Sequence, residues 1–179
     1  MSLMKKAIAD FATILHEHRI DFVVLNNLYG AQNIKTVDVY VFRKDRKVAK
    51  KVLAEWKSKD TDSTYPVGDT TFLLHEHTVI FNSKSKQIYW DDMVDDYWDE
   101  LLDHVEIDNV SVPMLPPTLQ AIAMFADVFH HYKNNTLTSG MVEDWKGYMK
   151  LKESEIVRME LRSKLERLNM LSAFNELKQ

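Results

Sequence analysis

Residues 20–42 read Ile-Asp-Phe-Val-Val-Leu-Asn-Asn-Leu-Tyr-Gly-Ala-Gln-Asn-Ile-Lys-Thr-Val-Asp-Val-Tyr-Val-Phe, and the fold follows from how they divide. Residues 22–25 and 37–42 have the β-branched and aromatic composition of strands buried on at least one face. Residues 26–36 hold Gly30 and a cluster of asparagines, as a turn requires. In the second run a period of two puts Val37, Val39 and Val41 on one face, and Thr36, Asp38, Tyr40 and Phe42 on the other. Asp38 is therefore a mid-strand carboxylate, which is costly to bury without a partner, a ligand or a water-filled cleft.

Working outward, residues 5–18 form an amphipathic helix with Ile8, Phe11, Ala12, Leu15 and His18 at helical spacing. Residues 47–57 read as a second helix with Val48, Val52, Leu53 and Trp56 on its apolar side, and Asp45 stands where a cap would be. Residues 58–69 are rich in Asp, Ser and Thr, with Pro66 and Gly68 as breakers, and read as a loop. Residues 70–77 and 78–81 are β-prone, either as one strand or as parts of a hairpin, and 87–90 begin a further short strand after a polar turn. The acidic run 91–102 has Met93, Tyr97, Trp98 and Leu101 near helical spacing, and its carboxylates read as a solvated helix face. Residues 105–112 alternate around Asp108-Asn109, the pattern of a small hairpin.

Pro113, Pro116 and Pro117 end the strand composition. Beyond them the spacing predicts helices over 119–131, 142–150 and a long charged stretch 153–177, with Thr118 placed to cap the first. Helix, two strands, helix, strands, helix, hairpin and helices make an α+β protein: a mixed sheet with flanking helices over 1–112, followed by a C-terminal helical subdomain over 118–179.

With 179 residues the chain can bury a core without staples. Its 23 Lys and Arg against 27 Asp and Glu, a formal charge of -4, argue against a partner that is mainly nucleic-acid backbone. The absence of cysteine rules out disulfides, thiolate nucleophiles and cysteine metal sites. Residues 1–6 lack the apolar run of a secretory signal, and nothing approaches the roughly 20 apolar residues of a membrane span, so the expected location is the cytoplasm.

Residues 24–27, Val-Leu-Asn-Asn, and 36–41, Thr-Val-Asp-Val-Tyr-Val, resemble the Leu-Leu-Lys-Gly turn and the Asp-Ile-Asp-Leu-Leu-Val strand of a group of uncharacterised bacterial nucleotidyltransferase-like proteins in the nucleotidyltransferase fold superfamily. Residues 73–78, Leu-Leu-His-Glu-His-Thr, resemble the strand that gives that family a third ligand. Residues 125–131 look like the helix bearing the family His, and Glu143-Asp144-Trp145 like the later Asp position. The resemblance implies a nucleotidyltransferase-like fold and magnesium-dependent transfer of a nucleoside monophosphate from a nucleoside triphosphate to a hydroxyl acceptor. Asp38 would anchor the metal, Glu76 would be the second-strand ligand, and Asn26, Asn27 and Thr36 would line the phosphate side.

Two departures bear on the chemistry. Thr36 stands where the family has the first acid of its pair, and Asn26 and Asn27 replace the Lys and Gly. Two-metal transfer needs carboxylates close enough for both ions to bridge hydroxyl and phosphate. With the pair halved, activity is expected to be weakened or lost, and the other reading is a non-catalytic binding or protein-interaction module on the same fold.

Asp38 also has an ordinary account, as a strand residue bonded to neighbouring backbone, to Lys35 or near Tyr40. The register of the third ligand stays open among His75, Glu76 and His77. Only Glu76 offers the oxygen that magnesium prefers, while His75 and His77 share the opposite strand face and suit a late transition metal. In the C-terminal stretch, Ile156, Met159, Leu165, Leu168 and Leu171 lie among basic and acidic residues, with Glu160 four before Lys164. That face suits a coiled homodimer or packing on the helical subdomain.

Overall fold

A computed structural model describes residues 3–29, 34–59, 63–75, 79–81, 87–89 and 102–179. The chain divides into two compact units, Met1–Thr78 with Met93–Leu115, and Val79–Asp92 with Pro116–Gln179.

The first unit contains helix α1 (Leu3–Glu17), strands β1 (Phe22–Val24) and β2 (Thr36–Val41), helix α2 (Arg46–Val52), a 3-10 turn (Ala54–Trp56), and strands β3 (Thr64–Val67) and β4 (Thr70–His75). Strands β7 (Asp103–Ile107) and β8 (Val110–Met114) complete it. The six strands form one sheet in the order β3-β4-β2-β1-β8-β7. β2 runs parallel to β4 and β1 parallel to β8, and the remaining pairs are antiparallel, so the sheet is mixed.

The alternation predicted for β2 holds. Val37, Val39 and Val41 are buried with Phe72 and Leu74 of β4 and with Ile8, Phe11, Ala12 and Leu15 of α1 in one core. The rings of Phe11 and Phe72 stack with their centroids 4.0 Å apart. His18, expected on the inner face, lies past the end of α1 and is exposed. Val48 is likewise 46% exposed, and Ala49 takes the inner place on α2. Asp45 occupies the N-cap position without capping, because its Oδ2 accepts the backbone N–H of Asp21 at 2.9 Å.

The segment read as a loop over 58–69 contains strand β3. Pro66 is tolerated there because β3 is an edge strand, where a missing ladder donor costs little. Gly68, at φ +59, turns the chain into β4. The hairpin around Asp108 and Asn109 is present and longer than expected, since Pro113 lies inside β8 opposite His104. Both turn residues have positive φ, 51 and 63, as a two-residue turn of this hand demands. The helix expected over 91–102 falls outside the described residues, apart from Leu102.

The second unit contains the two-stranded pair β5 (Val79–Phe81) and β6 (Gln87–Tyr89), and helices α3 (Pro117–Lys133), α4 (Ser139–Leu151), α5 (Arg158–Arg167) and α6 (Leu171–Lys178). Its core gathers Phe125, Trp145 and Phe174, with centroids 4.8 to 5.2 Å apart. The long C-terminal helix of the sequence reading is broken in two. Asn169 takes φ 56, and the N–H groups of Asn169 and Met170 bond to the carbonyls of Glu166 and Leu165, which closes α5 as a Schellman motif. The expected Glu160–Lys164 ion pair forms at 3.3 Å. Thr118 is not a cap: Pro116 holds that position, and the buried Thr118 hydroxyl accepts the Val157 N–H at 2.9 Å. No helix among the described residues is long and apolar enough to cross a membrane.

Candidate functional site

Strand β2 delivers Asp38 to the sheet face opposite α1, and the parallel pairing of β2 with β4 sets its neighbours. Asp38 is opposite Leu73 and Tyr40 opposite His75, so Asp38 and His75 are diagonal neighbours on the same face. Their side chains reach across that diagonal, and His75 Nε2 lies 2.7 Å from Asp38 Oδ1. An ionised Asp38 offers only acceptors, so Nε2 carries the proton in this bond. The two side chains are 35% and 39% exposed, within reach of solvent.

The other carboxylate oxygen is also engaged. Asn26, just beyond β1, donates from Nδ2 to Asp38 Oδ2 at 3.3 Å and accepts the Asp38 backbone N–H on Oδ1 at 2.5 Å. The Leu25 N–H donates to the Asp38 carbonyl at 2.8 Å, extending the β1–β2 ladder by one residue. Asn26 therefore acts as a strap between the end of β1 and the middle of β2. Asn27 turns inward on its own loop, its Oδ1 accepting the Tyr29 N–H at 3.0 Å. Tyr29 in turn donates its hydroxyl to Asp103 of β7 at 2.9 Å. Thr36 is exposed at the start of β2, two residues before Asp38 on the same face.

Of the residues singled out in the sequence, the structure thus brings together Asp38, His75 and Asn26. Glu76 and His77 lie outside the described residues. The Asn26–Asp38 strap was missed, although one signal for it exists: an Asn at the end of one hairpin strand opposite a mid-strand acid of the other. His131 bonds through Nδ1 to Thr136 Oγ1 at 2.8 Å, which supports the C-terminal end of α3.

The donor set can be tested against the magnesium pair that the sequence resemblance implies. No group of three or more His, Asp or Glu residues able to hold a metal occurs among the described residues. One carboxylate by itself does not fit a two-ion clamp, which needs acids close enough together for both ions to be bridged.

No family model matches the chain, and no curated protein matches it. Among solved structures, the solution structure of the antibiotic-resistance factor ANT(2'')-Ia aligns over 97% of this chain and 97% of that one, with a TM-score of 0.57 at 9% identity. The likeness is one of fold. A crystal structure of an antigenic nucleotidyltransferase-like protein from Paracoccidioides brasiliensis aligns over 97% of this chain and 92% of that one, with a TM-score of 0.46 at 12% identity. At 9% identity the likeness to ANT(2'')-Ia describes architecture, a mixed sheet with flanking helices and a C-terminal helical subdomain, and chemistry has to be argued from the site.

Proposed function

We propose that this chain is a nucleotidyltransferase-like protein that binds a nucleoside triphosphate at the Asp38 end of the β1–β2 pair and has lost two-metal nucleotidyl transfer. The observation that carries this reading is the engagement of both Asp38 oxygens, one with His75 and one with Asn26. Thr36 standing in the place of the other acid supports it. A cation would compete with His75 and Asn26 for the same two oxygens, and no group of three or more His, Asp or Glu residues able to hold a metal occurs among the described residues. The resemblance of residues 24–27 and 36–41 to the bacterial group supports a nucleotide as the ligand.

The test is thermal unfolding with each common nucleoside triphosphate, with and without Mg or Mn. A ligand at ten times its Kd stabilises by about 1.4 kcal/mol, a rise of about 3 to 6 °C for a chain of this size. The expected rise appears with nucleotide and does not require the metal. No rise with any nucleotide would end the reading.

A second reading keeps the activity: Asp38 and Glu76 hold magnesium, and a nucleoside monophosphate passes to a hydroxyl acceptor. The partial exposure of Asp38 and His75 favours it, because an incoming cation could reach the carboxylate. It predicts a rise only when metal and nucleotide are added together, and the loss of that rise in Asp38→Asn.

A further inference from the structure

The geometry points to a second binding site, inside the helical unit, for a small organic anion with an apolar body. A hollow of about 310 Å³ opens among the end of α4, the turn that follows it, the start of α5 and the end of α6. That volume is at the lower end of small-molecule pockets. Its apolar wall is made by Trp145, Ile156 and Leu161, all buried. Lys146, Lys150 and Lys178 also line it.

The charge there is unbalanced. Glu153 is the one acid in the lining, and Arg158 holds it at 3.2 Å. Lys146, Lys150 and Lys178 have no carboxylate partner among the described residues, whereas Lys152 and Lys164 in the same unit are paired with Glu155 and Glu160, both at 3.3 Å. The lining is therefore net positive by three on a chain of formal charge -4. Lys150 and Lys178 also stand in the last turns of α4 and α6, where a cation complements the helix dipole. That accounts for two of the three, and not for Lys146 or for the hollow between them. The buried indole N–H of Trp145 adds a donor without an acceptor among the described residues.

An apolar wall flanked by three uncompensated ammonium groups selects a molecule with a ring or short aliphatic body and a carboxylate, sulfonate or phosphate at one end. Neutral analogues forfeit the charge term, and cations are repelled.

The probe is 8-anilinonaphthalene-1-sulfonate, titrated into the full chain and followed by its fluorescence, with N-phenyl-1-naphthylamine as the neutral counterpart. Saturable binding at one equivalent is expected, about tenfold tighter for the sulfonate and weakened by salt. The double variant Lys146→Met, Lys178→Met keeps the aliphatic stems and weakens sulfonate binding about tenfold, with little change for the neutral probe. Asp38→Asn leaves sulfonate binding unchanged, which separates this site from the one proposed for nucleotide. Equal affinity for the two probes, unaltered binding in the lysine variant, or binding lost in Asp38→Asn would each overturn the assignment.

Discussion

His75 Nε2 stands 2.7 Å from Asp38 Oδ1 although the two residues are not opposite each other in the β2–β4 ladder; each faces a different partner, Tyr40 and Leu73. The bond thus crosses the diagonal of a parallel pair and ties the middle of β2 to the end of β4. Asp38→Asn is expected to lower stability by about 1 kcal/mol, the usual worth of a part-exposed hydrogen bond. His75→Gln should do the same, and the double variant should fall short of the sum by about 0.5 kcal/mol or more. Urea unfolding midpoints measure this, and strict additivity would show that the contact carries no coupling energy.

The Thr118 hydroxyl holds the Val157 N–H at the entry to α5, across 39 residues of sequence. Thr118→Val keeps the shape and leaves that N–H unpaired, with an expected loss of about 1 to 3 kcal/mol. Thr118→Ser should recover most of it. A Thr118→Val variant as stable as the parent in chemical denaturation would refute the role.

Asp108 and Asn109 both hold positive φ in the β7–β8 turn. Left-handed backbone costs a residue with a branched Cβ about 1 to 2 kcal/mol, so Asp108→Val should lower the unfolding free energy by that amount, while Asn109→Gly should leave it level or raise it. The order of the two variants in a melting experiment is the readout.

The Tyr132 hydroxyl donates to the Glu176 carboxylate, 3.2 Å from each oxygen. That hydrogen bond first, then the negative charge of Glu176 and a smaller loss of hydration, holds the phenol above its ordinary 10.0. A folded-state value raised above the unfolded one stabilises fully below about pH 10 and is lost as the pH climbs through the folded value. Ultraviolet titrations of the parent and of Glu176→Gln should therefore differ by one tyrosine, which ionises late in the parent and returns toward the ordinary range in the variant.

Much of the first unit was legible because local patterns and tertiary demands agree there. The alternation of Val37, Val39 and Val41 named the buried face of β2, and the spacing of Ile8, Phe11 and Leu15 named the helix that covers it. The failures share a cause as well. Strand β3 hides in a polar stretch because an edge strand can carry Pro66 and exposed side chains. The break at Asn169 hides because one asparagine in left-handed conformation leaves the apolar spacing on either side almost intact.

From the sequence alone came the α+β class, the β-hairpin at Asp108-Asn109 and the mid-strand position of Asp38. Those depend on residue type and on spacing of a few residues, which the chain carries in one dimension. Only the tertiary structure decided what Asp38 touches. Its bond to His75, 37 residues along the chain, depends on β2 and β4 pairing in parallel at one register, and a shift of one residue would send the imidazole to the other face of the sheet.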